Sequence, residues 1–196
     1  VHDASTAELA VGLAISSRRG FPEFMREQIA GNWSHHRTAA LSDSKIGIIG
    51  FGSIGKKIAQ NLSGFEVSIT AFTQSGRDGS LTIDQLDSHL PQLDIVILIL
   101  PLSDSSRHLF NAERLSKMKD GALLINVARG PVVDTDALLR ELNSKRIFAA
   151  LDVTDPEPLP AGHPLWSAPN LQIVPHVGGN SEAFEPRGRA LIESQL

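Results

Sequence analysis

The stretch KIGIIGFGSIGKKIA, Lys45 to Ala59, sets an apolar run directly before three glycines spaced G-x-G-x-x-G. The run reads as a buried strand. SIGKKIAQNL after it reads as a helix, with Ile54, Ile58 and Leu62 at i, i+4 and i+8. Three glycines at this spacing are a weak signal alone, because strand-to-helix turns collect glycine, so the surroundings decide what the motif means.

Outward from it, VSITAF (Val67–Phe72) reads as a second strand. Four further runs follow: DIVILIL from Asp94, GALLINV from Gly121, IFAALDV from Ile147 and LQIVP from Leu171. Helical or polar segments separate them, including TIDQLDSHL, with Thr82 and Gln85 at capping-box spacing, and DTDALLREL, beginning near Asp134. The strands are continuous apolar runs rather than alternating ones, as burial on both faces of a parallel sheet requires. Six strands with crossovers predict an α/β fold with a doubly wound parallel sheet in three layers, the Rossmann arrangement. In that setting Gly50 allows the tight turn, Gly52 lets a pyrophosphate approach the backbone, and Gly55 lets the helix pack close to the strand. The diphosphate lies against the helix N-terminus at Ser53, Ile54 and Gly55.

The chain's 196 residues suffice for one well-buried domain with an appendage, and 41% hydrophobic and 20% charged residues are ordinary for a globular protein. A net charge of −4 argues against bulk nucleic-acid binding. With no cysteine, disulfides, thiolate catalysis and cysteine-held metal are excluded, and a reducing, cytoplasmic setting fits. The longest apolar run, Ile95–Leu100, is far too short for a bilayer, so no membrane partner is expected. His35 and His36 lack a third nearby ligand and read as a solvated turn, Lys56 and Lys57 as exposed lysines, and Trp33 and Trp166 as packing anchors.

Residues 1–40 stand apart from the α/β pattern of 41–185, and residues 186–196 begin a closing helix. Ser5 and Glu8 suggest a capping box opening a helix through about Arg19. Its apolar residues, among them Leu9, Leu13 and Ile15, surround the axis, so it is expected to pack both on this domain and on a partner subunit or a missing lobe. The start, which lacks an initiator methionine, reads as a cut inside a larger protein.

Ligands of open α/β sheets bind outside the carboxyl ends of the strands. Those ends carry Pro101-Leu102-Ser103, Ala128-Arg129-Gly130, Asp152 with Glu157 beyond it, and His176-Val177-Gly178-Gly179. Together they fit one chemistry. Arg129 binds the carboxylate of a 2-oxo acid and polarises its carbonyl. His176 donates a proton to the oxygen as hydride arrives, and Glu157 keeps the imidazole oriented and protonated.

These residues sit in stretches that run nearly end to end: ASTAELA, GNW, IGIIGFGSIGKKIA, LPLSDSSRHLF, LSKMKDGALLINVARGPVVDTDAL, ALDVTDPEPLP, HPLW and PNLQIVPHVGG. In them the chain resembles the D-isomer-specific 2-hydroxyacid dehydrogenases, which include glyoxylate and hydroxypyruvate reductases. The resemblance implies that Arg129, Glu157 and His176 are the catalytic trio and that Asp152 meets the nicotinamide carboxamide. It implies that Leu100, Pro101, Ser106, Val127, Ala128 and Gly178 adjoin the cofactor, with no metal. It further implies a homodimer formed through the helical arm, a small 2-oxo or 2-hydroxy acid substrate, and a first substrate lobe with no counterpart here. Co-repressor proteins that sense NAD(P) without metabolic turnover resemble the same family and are the alternative function.

An NAD-preferring fold carries an acidic residue about twenty positions past the glycines, where it bonds the ribose 2′-hydroxyl. Here that place falls on Thr73, in AFTQSGRD. Thr73, Gln74 and Ser75 can donate to a 2′-phosphate and Arg77 can pair with its charge, so NADP is expected over NAD. The rival is Asp78 reaching the ribose after a loop shift.

Overall fold

The computed structural model describes residues 3–182 and 184–193. Two helices come first, α1 (Asp3–Arg18) and α2 (Phe21–Ile29), followed by β1 (Lys45–Ile49), α3 (Ser53–Leu62), β2 (Ser68–Thr73) and β3 (Leu81–Thr82). Then come α4 (Leu86–His89), β4 (Ile95–Leu98), α5 (Ala112–Ser116), β5 (Leu123–Asn126), α6 (Thr135–Asn143), β6 (Phe148–Leu151), β7 (Leu171–Ile173) and α7 (Phe184–Glu193). Of the closing segment, residues 194–196 lie outside the described residues.

The strands form one sheet in the order β3-β2-β1-β4-β5-β6-β7, with every pairing parallel. Seven strands replace the expected six. The addition, β3, is two residues long, pairing Phe72 with Leu81 and Thr73 with Thr82, and a strand that short carries no periodic signal. The β1–β4 register sets Ile46 beside Ile95 and Ile48 beside Ile97.

Successive strand residues point to opposite faces, and both faces are buried. Ile46, Ile48, Ile95, Ile97 and Ile125 face α1 and α3, where Ile58 and Leu62 meet them. Ile49, Val96, Leu98 and Leu124 face the other layer with Leu86, Phe110, Leu115, Leu138 and Leu142. Local chemistry sets the helix starts. Asp134 Oδ1 accepts from the Ala137 N–H at 2.9 Å and Asn111 Oδ1 from the Arg114 N–H at 3.0 Å, satisfying donors that a helix N-terminus leaves open. Gln85 Oε1 likewise accepts from the Thr82 N–H at 3.0 Å, as the capping-box spacing predicts.

Helix α1 corrects one expectation. It begins at Asp3, so Ser5 lies inside its first turn rather than capping it. Much of its apolar surface is covered within this chain, because it packs between α3 and the strands β5 and β6, leaving Leu13 only 2% exposed, while Leu9 and Ile15 stay partly exposed. An exposed apolar surface lies on α2, which buries none of its residues. Phe21, Met25 and Ile29 form an i, i+4, i+8 stripe, Trp33 follows beyond the helix end, and Ile29 and Trp33 are 87% and 95% exposed. Trp33 is therefore not a packing anchor within this chain. His36 pairs with Glu23 at 3.7 Å and its ring lies 5.0 Å from that of Phe24, so it fastens the segment after α2 back onto the helix.

Candidate active site

The turn between β1 and α3 needs glycine at two places and has room at a third. A Cβ on Gly50, whose φ is 102°, would stand 2.2 Å from the Ile99 carbonyl oxygen. One on Gly55 would stand 2.2 Å from the Gly50 carbonyl oxygen. Gly52 is different: nothing lies within 4 Å of its Cβ position. Gly52 also caps α3 without any side-chain hydrogen bond, so among the described residues no side chain caps the first-turn N–H donors at Ser53 and Ile54. Close packing on two sides with open space between them suits an anionic pyrophosphate held by backbone donors and the helix dipole.

A cleft of about 310 Å³ opens beside this turn. Gly50, Gly52, Thr73, Gln74, Arg77, Leu100, Pro101 and Ser106 line it, all of them among the residues expected at the cofactor. Phe51, Ile83 and Leu109 also line it and were not anticipated, since Ile83 and Leu109 lie away from the strand ends. Ser106 is a structural pin as well, accepting from the Ser103 N–H at 2.7 Å and donating to the Pro101 carbonyl at 2.8 Å.

The loop after β2 alters the expected division of labour. Ser80 Oγ donates to the Arg77 carbonyl at 2.6 Å, so in its 2.7 Å contact with Thr73 Oγ1 the threonine is the donor. The Thr73 proton is thereby engaged inside the protein, which removes it from the groups available to a 2′-phosphate. Ser75 is exposed but does not line the cleft, whereas Gln74 and Arg77 do. Asp78 does not line the cleft and forms a 2.8 Å ion pair with Lys56 on α3. The Lys56 ammonium, hydrogen-bonded to its carboxylate, holds Asp78 below the usual carboxylate range.

The ends of β5, β6 and β7 carry the polar residues. Glu157 Oε1 and His176 Nδ1 lie 2.5 Å apart beside a second cleft of about 320 Å³, which Asp152, Leu159 and Trp166 also line. Trp166 is half exposed and its indole N–H donates to the Pro160 carbonyl at 2.9 Å. Asp152, 4% exposed, ties this rim together. Its carboxylate accepts from the Val177 N–H at 2.7 Å and the Gly178 N–H at 3.1 Å, and its carbonyl accepts from the His176 N–H at 2.8 Å. Gly178 is packed tightly here, with a Cβ position 2.8 Å from Asp152 Oδ2.

Arg129 is exposed at the end of β5 and does not line the cleft of Glu157 and His176. Its Nη1 donates to the Ala128 carbonyl at 2.6 Å. Val127 and Ala128 are buried beneath it. Two neighbours escaped the sequence reading. Asn126, 1% exposed, accepts from the Ala128 N–H and donates to the Arg129 carbonyl, both at 3.0 Å, and so shapes the turn that presents Arg129. Gly130 presses on the segment leading to Glu157, a Cβ there falling 1.9 Å from the Thr154 carbonyl oxygen. An amide closing the apolar strand LLIN was the available signal for the first. Nothing local marks the second.

The model of the D-isomer specific 2-hydroxyacid dehydrogenase NAD binding domain matches residues 11–178. The chain is 39% identical over 198 residues to the glyoxylate reductase of Thermofilum pendens, covering 94% of this chain and 58% of that protein. It spans 58–62% of the length of the first curated relatives it matches. Among solved structures, a D-isomer specific 2-hydroxyacid dehydrogenase from Xanthobacter autotrophicus Py2, in complex with NADPH and MES, superimposes with a TM-score of 0.85 at 32% identity, over 98% of this chain and 81% of that one. The NAD-dependent formate dehydrogenase of Staphylococcus aureus, in complex with NAD, gives a TM-score of 0.86 at 29% identity, over 98% and 61%. With a glycine turn open at Gly52, an imidazole paired to a carboxylate at the strand ends and a family model spanning residues 11–178, this chain belongs to the D-isomer specific 2-hydroxyacid dehydrogenase family as an NAD-binding domain.

Proposed function

We propose that this chain is the cofactor-binding part of an oxidoreductase that moves a hydride between a nicotinamide dinucleotide and a small 2-oxo or 2-hydroxy acid. The 2.5 Å contact between His176 and Glu157, on the strand-end edge of the sheet that also carries the glycine turn, carries the reading. A nicotinamide cofactor held at the glycine turn supplies the hydride. Arg129 binds the substrate carboxylate and draws electron density from the neighbouring carbonyl. His176 has its Nδ1 committed to Glu157, which leaves Nε2 to hold the proton that passes to the carbonyl oxygen. In the oxidative direction the same nitrogen takes that proton back. Asp152 sets the turn that carries the imidazole, and its remaining lone pairs can accept from the carboxamide.

NADP is the favoured cofactor. The fold accepts both forms, since the Xanthobacter neighbour holds NADPH and the Staphylococcus neighbour NAD, so the choice lies in the loop after β2. Here that loop offers Arg77 to the cleft and keeps Asp78 on Lys56. Two copies are proposed to join through the α2 stripe, as a cytoplasmic homodimer.

The test is turnover by the full-length gene product with glyoxylate, hydroxypyruvate and related 2-oxo acids, followed by nicotinamide absorbance. Reduction of any of them supports the reading. Cofactor binding without turnover of any 2-oxo acid would overturn it in favour of a nucleotide-sensing protein.

A further inference from the structure

The loop Gln74–Ser80 holds one cation and one carboxylate side by side, Arg77 and Asp78, with opposite meanings for a ribose. An arginine there attracts a 2′-phosphate. A carboxylate repels it and accepts from a free 2′-hydroxyl instead. The structure separates the two: Arg77 lines the cleft, and Asp78 lies outside its lining in a 2.8 Å pair with Lys56 Nζ. Lys56 reaches it from the first turn of α3, two residues beyond Ile54.

The loop is built to turn at this point. Gly76 and Gly79 flank the pair with φ of 66° and 76°, and Asp78 itself is left-handed at φ 55°. The far end is anchored, since Ser80 donates both its N–H, at 3.0 Å, and its hydroxyl, at 2.6 Å, to the Arg77 carbonyl. Asp78 lies inside the turn that these two bonds close, so its backbone is fixed by the turn and its side chain is directed by Lys56.

We infer that Lys56 is a specificity-determining residue: by pairing with Asp78 it keeps the loop's one carboxylate out of the ribose pocket and leaves Arg77 to read a 2′-phosphate. This rests on the NADP preference proposed above. Lys56 acts through Asp78 and not as a phosphate ligand. Without its charge, Asp78 is free to swing toward the ribose, where it repels NADPH and serves NADH.

The test is calorimetric titration of the chain with NADPH and NADH, for the wild type, Lys56→Met and Lys56→Met/Asp78→Asn. The methionine keeps the length of the stem and removes the charge. The pair is solvent-exposed, so its loss has a modest effect: Lys56→Met is expected to weaken NADPH by about three- to fivefold. It is also expected to tighten NADH, a gain that loss of structure does not produce. The double variant is expected to recover wild-type NADPH affinity, since no carboxylate remains to be released. Equal weakening of both cofactors by Lys56→Met would overturn the inference, and so would failure of the double variant to recover, which marks Lys56 as a direct phosphate ligand. The wild-type ratio reports separately on the NADP preference: NADH binding more tightly there sinks that reading, while the change in ratio on removing Lys56 still judges Lys56.

Discussion

His176 Nδ1 lies 2.5 Å from Glu157 Oε1 although 19 residues separate them, and His176 makes the contact with its backbone in the left-handed region at φ 52°. That conformation costs a non-glycine residue about 1–2 kcal/mol. Three bonds to Asp152, from the N–H groups of residues 176 to 178, offset it. The imidazole is thus oriented twice, by Glu157 at the ring and by Asp152 at the backbone.

Replacing Glu157 by Gln in the full-length enzyme should lower kcat by about a hundredfold with a much smaller change in KM, because proton transfer is impaired while Arg129 still binds substrate. Steady-state kinetics on a fixed 2-oxo acid checks this. A variant with wild-type kcat would remove Glu157 from the proton-transfer machinery.

The three motif glycines should separate cleanly on substitution by alanine. Gly50→Ala and Gly55→Ala force a Cβ to within 2.2 Å of backbone oxygens and should cost about 3 kcal/mol or more, or prevent folding. Gly52→Ala meets open space at φ −77° and should keep its melting temperature while losing dinucleotide affinity. Thermal melts with and without NADPH distinguish the two outcomes. Unchanged cofactor binding by Gly52→Ala would place the pyrophosphate elsewhere.

Arg77→Ala should weaken NADP(H) by about ten- to a hundredfold, the value of a charge-assisted hydrogen bond of about 1.5–3 kcal/mol. NAD(H) affinity should barely move. Fluorescence titration with the reduced cofactors reads both, and a parallel loss of NADH would deny Arg77 its role at the 2′-phosphate.

The exposed stripe on α2 should be what joins two copies. Met25→Glu with Ile29→Glu should yield monomers at micromolar concentration in sedimentation velocity, with the chain still folded, because α2 buries none of its residues in its own domain. A dimer that survives both charges forms through another surface.

Acid should weaken the domain partly through Asp87. Partial burial alone would raise its pKa, but hydrogen bonds from Arg114 at 2.6 Å and Lys117 at 2.9 Å prevail and hold it below the usual carboxylate range. A carboxylate with its folded pKa depressed stabilises above its unfolded pKa of about 3.9, and that contribution fades as pH falls through the folded value. Solvent screening limits it to about 1 kcal/mol. Asp87→Asn should therefore melt a few degrees below the wild type at neutral pH, and the gap should close as pH falls through the depressed folded pKa of Asp87. A gap that persists undiminished in acid would assign the loss to packing rather than charge.

What the sequence determined by itself was whatever depends on neighbours along the chain. Continuous apolar runs such as Ile95–Leu98 announce strands buried on both faces, the spacing Ile54, Ile58, Leu62 announces the buried side of α3, and Gly50, Gly52 and Gly55 mark the turn between strand and helix. The strand-end rule then placed Asp152, Glu157 and His176 near one another without coordinates, because a parallel sheet brings every carboxyl end to one edge. Tertiary structure decided what depends on contacts between distant segments. How much of α1 and of α2 this chain covers turns on which helix fits between α3 and the sheet, a matter of packing that an apolar count along α1 does not contain. The engaged Thr73 proton needs Ser80 folded back across the loop, and the ion pair of Asp78 needs Lys56 to meet it from another element. A hydrogen bond is decided by distance and direction to within a few tenths of an ångström, and only the folded chain sets those.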